Sequence, residues 1–368
     1  MIRRTSAGGR LAAVLRAVLL ALTALAAVAS LLPLVPSNAW WLRFPDFARL
    51  QLAALLAVLL LVGLAANAWR GPAGLGVAAL GAAALGTHAA RLLPYTPLHA
   101  PAALSVPACP EGSRLRVMVA NVLHGDRSAE RLLDRVGEAD PDLLLLLETD
   151  GWWDEALTAL HDAYPYRLQH IPEDHPAYGL HLLSRLPLEE AGIAFWFDAL
   201  TPTAVADVRL PGGQAVRFVG LHPRPPLPPD QSSTMRDAHL LRAALEARGA
   251  ALPVVVAGDL NAVPWEPAVR RALRVGGLLD PRVGRGLFPT FDATSPWMAW
   301  PLDQVLFGEA IGLAGWEVLP AWGSDHHPVR ADLCLAPGLS ARQPPPPLES
   351  GDLERAARAI RAAEVLGR

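Results

Sequence analysis

The sequence predicts an α/β sandwich domain preceded by three apolar helices long enough to cross a membrane. Residues 1–110 contain three apolar stretches and a single acidic residue, Asp46. From residue 114 onward, apolar runs of strand length alternate with stretches of helical periodicity. Some of these strands are joined directly as hairpins and others are separated by helices. This mixture favours a sandwich of mixed strands over a regular series of parallel βαβ units.

Residues 1–93 are predicted to form a transmembrane region, with spans near 11–35, 50–68 and 72–93. About 20 apolar residues are needed to span a bilayer; the first two stretches qualify, and the third, rich in Gly and Ala, is the weakest. Because the first stretch is long and the second follows it directly, we interpret it as an anchor rather than a cleaved signal peptide.

The orientation follows from the distribution of arginine. Arg3, Arg4, Arg10 and Arg16 lie at the N-terminal end of the first span, which favours a cytoplasmic N terminus. Three spans then leave the following domain outside the cytoplasm of a bacterial cell, at its plasma membrane. Two spans would leave it inside, so the topology depends on the third span.

The domain is predicted over residues 114–336, between two proline-rich segments. Residues 94–113 are predicted as a linker. Residues 337–368 are predicted as a tail carrying a short amphipathic helix, for which contact with a membrane, contact with the domain and solvent exposure all remain open.

The charge of the domain bears on which partners it can bind. Residues 111–335 contain 30 Asp and Glu against 19 Arg, although the whole chain has a net charge of only −3. Nucleases gain much of their affinity from basic side chains, so this acidic domain disfavours a nucleic-acid partner without excluding one.

Cys109 and Cys334 flank the domain. They form a disulfide if the first and last strands are neighbours, and two separate thiols is the alternative; no zinc-site spacing is present.

The elements of the domain follow in order. The predicted strands are 114–122, 142–149, 178–188, 203–210, 215–223, 252–259, 301–307 and the end of 321–335. The predicted helices are 130–141, 152–164 and 234–247. Pro211, Gly212 and Gly213 join two of the strands as a hairpin.

Polar residues recur where the apolar strands end. They are Asn121, Glu148, His222, Asp259 with Asn261, Asp303, and Asp325 with His326. Residues two apart in an extended segment share a face, so Asp259 and Asn261 can converge on one point. One such residue alone is explained as a turn former or a cap, but their recurrence favours a site held rigidly by the sheets.

Five motifs carry a resemblance to the endonuclease/exonuclease/phosphatase (DNase-like) superfamily. They are "ANV" at Asn121, "LLLLET" at Glu148, "GLHPR" at His222, "GDLNAVPW" at Asp259 and Asn261, and "SDHHPV" at Asp325 and His326. The superfamily includes nucleases, neutral sphingomyelinases and inositol-polyphosphate phosphatases. The resemblance implies a four-layer α/β/β/α sandwich, a divalent metal ion (usually Mg²⁺, with Mn²⁺ as the alternative), and hydrolysis of a phosphate ester or anhydride.

The resemblance also implies roles for the strand-end residues. The metal ligands are Glu148, Asn121 and Asp325, consistent with the preference of Mg²⁺ for oxygen atoms. Asp259 orients or helps to deprotonate the attacking water, and Asn261 holds a phosphate oxygen.

The resemblance also implies roles for the histidines and for the residues that accompany them. His326 is the general base, or stabilises the transition state if it is protonated, and Asp303 orients its imidazole. His222 protonates or binds the phosphate, and Tyr178 adds a phosphate contact. His327 is assigned to packing.

The substrate is not fixed by the superfamily. Three N-terminal spans followed by this domain resemble the membrane proteins linked to teicoplanin resistance, which implies hydrolysis of a lipid-linked phosphate or pyrophosphate such as undecaprenyl pyrophosphate. The alternatives are a nuclease and a sphingomyelinase-like phosphodiesterase. A basic groove around the site favours nucleic acid, whereas an apolar rim favours lipid, with the loop 224–229 as a candidate rim. Because Glu148, Asp259 and His326 are all present, an inactive binding domain is disfavoured.

Overall fold

The computed structural model describes residues 7–226 and 232–367, and it divides the chain into two compact units, Met1–Pro94 and Tyr95–Arg368. Arg3 and Arg4, and residues 227–229 of the candidate rim, lie outside the described residues.

The described part of the first unit is helical. It contains α1 (Ala7–Leu31), α2 (Trp40–Arg43), α3 (Arg49–Ala65) and α4 (Gly71–Leu92). Two stretches in the described chain are individually long and apolar enough to cross a membrane, Ala7–Leu34 and Gly71–Tyr95. A third crossing requires that Trp40–Asp46 and Arg49–Ala65, bent by 70°, count as one span. The helix that is too short to cross a membrane by itself is therefore α3. The sequence had α4 as the weakest of the three predicted spans, but α4 is long and apolar enough to cross alone.

A buried polar cluster lies among these helices. Arg49 Nε donates to Asp46 Oδ1 at 2.7 Å, and Arg49 Nη1 lies 3.3 Å from His88 Nδ1. All three side chains are almost completely buried. Buried charges are retained only when they are paired, so this cluster links the bend before α3 to α4. The apolar periodicity of the sequence does not indicate it.

The second unit contains two six-stranded sheets. Its strands are β1 (Arg114–Asn121), β2 (Leu143–Leu147), β3 (Tyr166–His170), β4 (Leu180–Ser184), β5 (Leu188–Phe195), β6 (Pro202–Arg209), β7 (Ala215–Leu221), β8 (Val254–Asp259), β9 (Leu278–Leu279), β10 (Asp303–Gly308), β11 (Ile311–Val318) and β12 (Val329–Leu335). Its α-helices are α5 (Ala129–Ala139), α6 (Gly151–Ala156), α7 (Thr234–Gly249), α8 (Pro267–Gly276) and α9 (Asp352–Leu366). The first sheet has the order β11-β12-β1-β2-β4-β3, and the second β5-β6-β7-β8-β10-β9.

The two sheets pack face to face and helices cover their outer faces. One apolar cluster fills the space between the sheets. A second joins the outer face of the first sheet to α5 and α6, and a third joins the second sheet to α7, α8 and α9. The five leucines of β2 show why: Leu143, Leu145 and Leu147 face the other sheet, while Leu144 and Leu146 face the helices. The four-layer sandwich is thus confirmed.

The segments predicted as linker and tail both pack on this unit. Val106 N donates to Leu313 O at 2.8 Å, so residues after Ala103 run along β11. Cys109 is disulfide-bonded to Cys334, because β1 and β12 are antiparallel neighbours. The proline-rich composition had concealed these contacts, since proline lacks only its own N–H donor and does not prevent edge packing.

The C-terminal helix α9 is part of the outer helical layer. Ala356 and Ala363 are completely buried, the first against the second sheet's helices and the second beside Phe197. Asp352, at the start of α9, accepts hydrogen bonds from Arg274 of α8 at 2.6 and 3.0 Å. Of the three possibilities that the sequence left open, the structure shows contact with the domain.

Candidate active site

The strand-end residues converge because of the topology. β1 and β2 are parallel neighbours in the first sheet, and β7 and β8 are parallel neighbours in the second, so their carboxyl ends reach one edge of the sandwich. β10 is antiparallel to β8, and Asp303 at its start pairs with Asp259 at the end of β8. Asn121, Glu148, His222, Asp259, Asp303 and His326 are thereby connected by contacts in both sheets.

Unusual backbone conformations bring these ends together. Gly258 has φ +149°, and a Cβ placed on it would lie 1.8 Å from the carbonyl oxygen of Leu221. Only glycine permits β8 to approach the end of β7 this closely. Glu148 (φ 62°) and Asn261 (φ 48°) adopt left-handed conformations. Strained residues of this kind concentrate at functional sites.

His326 is held by two carboxylates. Its Nδ1 lies 2.8 Å from Asp303 Oδ2, and its Nε2 lies 3.7 Å from Asp259 Oδ2. Burial alone would lower the pKa of His326, but the charges of Asp303 and Asp259 raise that pKa to about 10. The imidazole therefore carries a proton at neutral pH, which favours the second predicted role, stabilisation of developing negative charge.

Asp259 lies between two imidazoles. His222 Nε2 is 3.4 Å from the same Oδ2 that faces His326. Burial would raise the pKa of Asp259, yet the two histidines and the N–H of Asn261 hold it far below its usual value. Burial would likewise lower the pKa of His222, and its hydrogen bond with Asp259 raises it. Asp259 is consequently ionised, with the protonated His326 on one side and His222, whose pKa is raised, on the other.

Glu148 receives several donors. Asn121 Nδ2 donates to Glu148 Oε1 at 2.8 Å and to Asp259 Oδ2 at 3.2 Å. The backbone N–H of His124 donates to Glu148 Oε2 at 3.1 Å. Burial would raise the pKa of Glu148, but His222, Asn121 and His124 lower it. Glu148 is thus ionised and only partly covered, as a metal ligand must be.

Asp325 is a second candidate ligand, because its carboxylate is affected by the charge of Glu148. Its pKa is raised, first by burial and also by the charge of Glu148. Two acids that repel each other at a half-buried site are stabilised by a divalent cation bound to both. Oxygen donors such as those of Glu148, Asp325 and Asn121 could hold a divalent cation.

A second group also has donor atoms within metal-binding range. This group consists of three buried residues, Asp259, Asp303 and His326. Each offers one ligand atom, and these atoms lie within 4.8 Å of one another. The 2.8 Å hydrogen bond between Asp303 Oδ2 and His326 Nδ1 occupies one atom of each residue, while Asp303 Oδ1 has no partner among the described residues. This group and the carboxylates of Glu148 and Asp325 are therefore both candidate metal sites.

The two residues predicted to contact phosphate lie at the rim of the site. Asn261 Nδ2 donates to Pro223 O at 3.0 Å, and Asn261 N donates to Asp259 Oδ1 at 2.9 Å. Tyr178 precedes β4, where Leu180 pairs with Leu147 next to Glu148. His327, assigned to packing, has its Nδ1 3.0 Å from the carbonyl oxygen of Leu319.

Three residues of the site were not identified from the sequence. His124 Nδ1 lies 3.1 Å from Glu148 Oε2. Ser324 Oγ donates to Asn121 O at 2.8 Å and accepts from His326 N at 3.0 Å, which ties the "SDHH" loop to β1. The ring of Phe291 lies 4.8 Å from that of His326. Ser324 is the first residue of the "SDHHPV" motif, so its place in that motif indicates that it lies near the site. The sequence around Phe291 contains no comparable motif.

Comparison with known proteins agrees with this geometry. Residues 118–326, more than half of the chain, match the sequence profile of the Endonuclease/Exonuclease/phosphatase family. The crystal structure of D. rerio TDP2 complexed with single strand DNA product is similar, with a TM-score of 0.51 and 17% identity over 60% of this chain and 99% of that one. TDP2 from C. elegans gives a TM-score of 0.50 and 15% identity over 61% of this chain and 76% of that one. No curated protein matches the sequence significantly.

The family match supports hydrolase activity of the phosphoesterase and nuclease class. The chain belongs to the endonuclease/exonuclease/phosphatase family. At 17% identity or less, the similarity to the solved structures establishes the fold alone.

Proposed function

We propose that the protein is a membrane-anchored, divalent-metal-dependent phosphohydrolase whose substrate is a lipid-linked phosphate or pyrophosphate, such as undecaprenyl pyrophosphate. The observation that carries the chemical part is the arrangement at one sandwich edge, where Asp259 lies between His222 and His326 and shares the Asn121 amide with Glu148.

Each residue of this pattern has a role in phosphoryl transfer. His326 and His222 neutralise charge on the phosphate oxygens, and Asn261 helps to hold the phosphate. Asp259 orients the attacking water, and Asp303 keeps His326 in place and protonated. When bound at Glu148 and Asp325, a divalent cation supplies further neutralisation of the phosphate charge.

A lipid substrate is supported by an apolar rim beside the site. Ala293 N donates to Asp325 O at 2.7 Å, which anchors the loop 292–299 next to the metal ligands. On this loop, Trp297 is 79% exposed and Met298 is 44% exposed. Tryptophan favours the boundary between water and lipid, so this loop suits contact with a bilayer. The rim expected at residues 224–229 falls partly outside the described residues.

An extracytoplasmic domain is supported by two features. Three apolar spans after a cytoplasmic N terminus would place it there. The Cys109–Cys334 disulfide is typical of oxidising compartments, such as the outer side of a bacterial plasma membrane.

The test measures phosphate release by purified full-length protein in the presence of Mg²⁺. Undecaprenyl pyrophosphate, plasmid DNA and linear DNA are compared, with His326→Ala and EDTA as controls. We expect inorganic phosphate from the lipid, with no release by the variant or after chelation. Cleavage of DNA without turnover of the lipid would contradict the proposal and favour a nuclease.

A further inference from the structure

Arg224 lies at the rim of the active site and has no role in the chemistry described above. It follows His222 by two residues, and the carbonyl oxygen of the intervening Pro223 accepts the hydrogen bond from Asn261 Nδ2. The backbone that leads to Arg224 is therefore fixed by residues of the site itself.

One edge of the Arg224 guanidinium is fixed by the loop that joins β5 to β6 in the second sheet. Nη2 lies 3.1 Å from Asp198 Oδ2, and Nε donates to Thr201 Oγ1 at 3.3 Å. Asp198 is itself held by the backbone N–H groups of Leu200 and Thr201, at 2.8 and 2.7 Å. These contacts give the arginine a set orientation.

One face of the guanidinium stacks on the first sheet's rim. Its central carbon lies 5.5 Å from the ring centroid of Tyr178, within the range of a cation–π contact. Tyr178 is two residues before Leu180, which pairs with Leu147 beside Glu148. Arg224 thus connects the loop that contains Asp198 and Thr201, in the second sheet, to Tyr178, which precedes β4 of the first sheet.

The guanidinium retains donors for a ligand. An arginine has five N–H donors, and the contacts to Asp198 and Thr201 use two of them. Among the described residues Nη1 has no partner, and the side chain remains 23% exposed. An oriented guanidinium with free donors beside phosphate-binding residues is suited to a second phosphate group.

We propose that Arg224, stacked on Tyr178, binds the phosphate group that is not attacked in a diphosphate ester, and so selects diphosphates over monophosphates. This inference rests on the proposed function. Water adds to the terminal phosphorus, the bridging P–O bond breaks, and its electron pair remains on the alkyl monophosphate. One water proton stays on inorganic phosphate and the other leaves to solvent, while Asp259 orients the water. Arg224 offsets the charge that accumulates on the leaving monophosphate.

The first test compares geranyl diphosphate with geranyl monophosphate, in the presence of Mg²⁺, for full-length wild type and Arg224→Gln. The control is Arg209→Gln, which removes an exposed arginine paired with Glu189 on the same sheet. We expect Arg224→Gln to lower kcat/KM for the diphosphate about 10- to 100-fold, as for loss of charge-assisted hydrogen bonds, and to change the monophosphate value less than about threefold. The control should change neither.

Equal losses on both substrates would assign Arg224 a structural role, and no loss on either would also overturn the proposal. If Arg224→Gln does not fold, Arg224→Lys decides. Lysine keeps the charge and loses the planar fork, so a loss confined to the diphosphate is still expected.

A binding measurement separates this inference from the proposed function. Titration calorimetry compares methylenediphosphonate with methylphosphonate at a fixed Mg²⁺ concentration. We expect wild type to prefer the diphosphonate and Arg224→Gln to lose that preference. If wild type hydrolyses neither geranyl ester, the proposed substrate class fails on its own, while a variant that retains the binding preference overturns the role of Arg224.

Discussion

Asp259 and Asp303 occupy paired positions on the antiparallel strands β8 and β10, and both carboxylates face the imidazole of His326. Like charges directly opposite each other on neighbouring strands are destabilising. A protonated His326 between them offsets this repulsion, so the histidine stabilises the pair. This arrangement makes the charge state of His326 depend on two residues of the adjacent strands.

Asp303→Asn is expected to reduce kcat about 10²- to 10⁴-fold, because the imidazole loses the carboxylate that orients it. The substitution also removes one of the charges that raise the pKa of His326 to about 10. The folded-state pKa then falls, so His326 loses its proton at a lower pH. The alkaline limb of the pH–kcat/KM profile, measured between pH 6 and 10.5, should move to lower pH.

A matched control is Asp207→Asn, which removes another strand carboxylate of the second sheet, paired with Arg217 at 2.7 Å. The control should leave the position of the limb unchanged. An Asp303→Asn profile with the wild-type alkaline limb would show that Asp303 does not set the protonation of His326.

Gly258→Ala tests the close approach of β8 to β7. The added Cβ would lie 1.8 Å from the Leu221 carbonyl oxygen, and the residue would keep φ +149° at high cost. We expect about 3 kcal/mol or more of destabilisation, together with loss of activity because His222 and Asp259 separate. Thermal unfolding and phosphate release are the measurements.

Gly137→Ala in α5 is the control for that substitution. Outside its own helix, no atom of the described residues lies within 4 Å of the added Cβ, so replacing this helical glycine should stabilise the protein by about 0.5–1 kcal/mol. Equal melting temperatures for the two variants would contradict the steric argument.

Asp352→Asn tests the attachment of α9. The hydrogen bond from Arg274 lowers the pKa of Asp352 strongly, and Arg271 and Arg355 also contact its carboxylate. A depressed folded-state pKa contributes stability that is present above the unfolded value of 3.8 and is lost as the pH falls through lower values. At pH 7 we expect a loss of about 3 kcal/mol, as for breaking a buried ion pair.

The difference in unfolding free energy between wild type and Asp352→Asn should therefore shrink as the pH is lowered from 5 toward 2. Glu354→Gln, which removes an exposed helix ion pair with Arg358, is the control and should change stability by about 0.5 kcal/mol at most. A difference independent of pH would argue against the ion pair as the cause.

Trp297→Ala tests whether the loop 292–299 contacts lipid. We expect kcat/KM to fall roughly tenfold for a polyprenyl diphosphate embedded in vesicles, because an exposed tryptophan no longer partitions into the interface. The value for water-soluble geranyl diphosphate should not change. Leu353→Ala, another exposed apolar residue, is the control on α9. Equal effects on both substrates would assign Trp297 a role within the site instead.

The sandwich and the grouping of polar residues at strand ends can be predicted from the sequence because both depend on local patterns. An uninterrupted apolar run such as β2 identifies a strand buried on both faces, and a polar residue directly after it marks the sheet edge. β3 was missed because most of its residues are exposed, and β11 because Gly312 and Gly315 interrupt its apolar pattern. α8 was missed although Glu266 and Pro267 mark its start.

The distances between the titratable side chains of the site, which set their charge states, cannot be predicted from the sequence. That His326 is shared by two carboxylates follows from the pairing of β8 with β10, which no single motif contains. The contact between α9 and α8 depends in the same way on residues far apart in the chain, Arg274 and Asp352.

The bond between Cys109 and Cys334 turns most of the second unit into a covalent ring closed across 225 positions. A protease that cuts the backbone once inside this ring does not separate the fragments. Both halves stay linked to the N-terminal helices until the bridge is reduced. Such nicking is therefore invisible on a non-reducing gel and is revealed only after the disulfide is reduced.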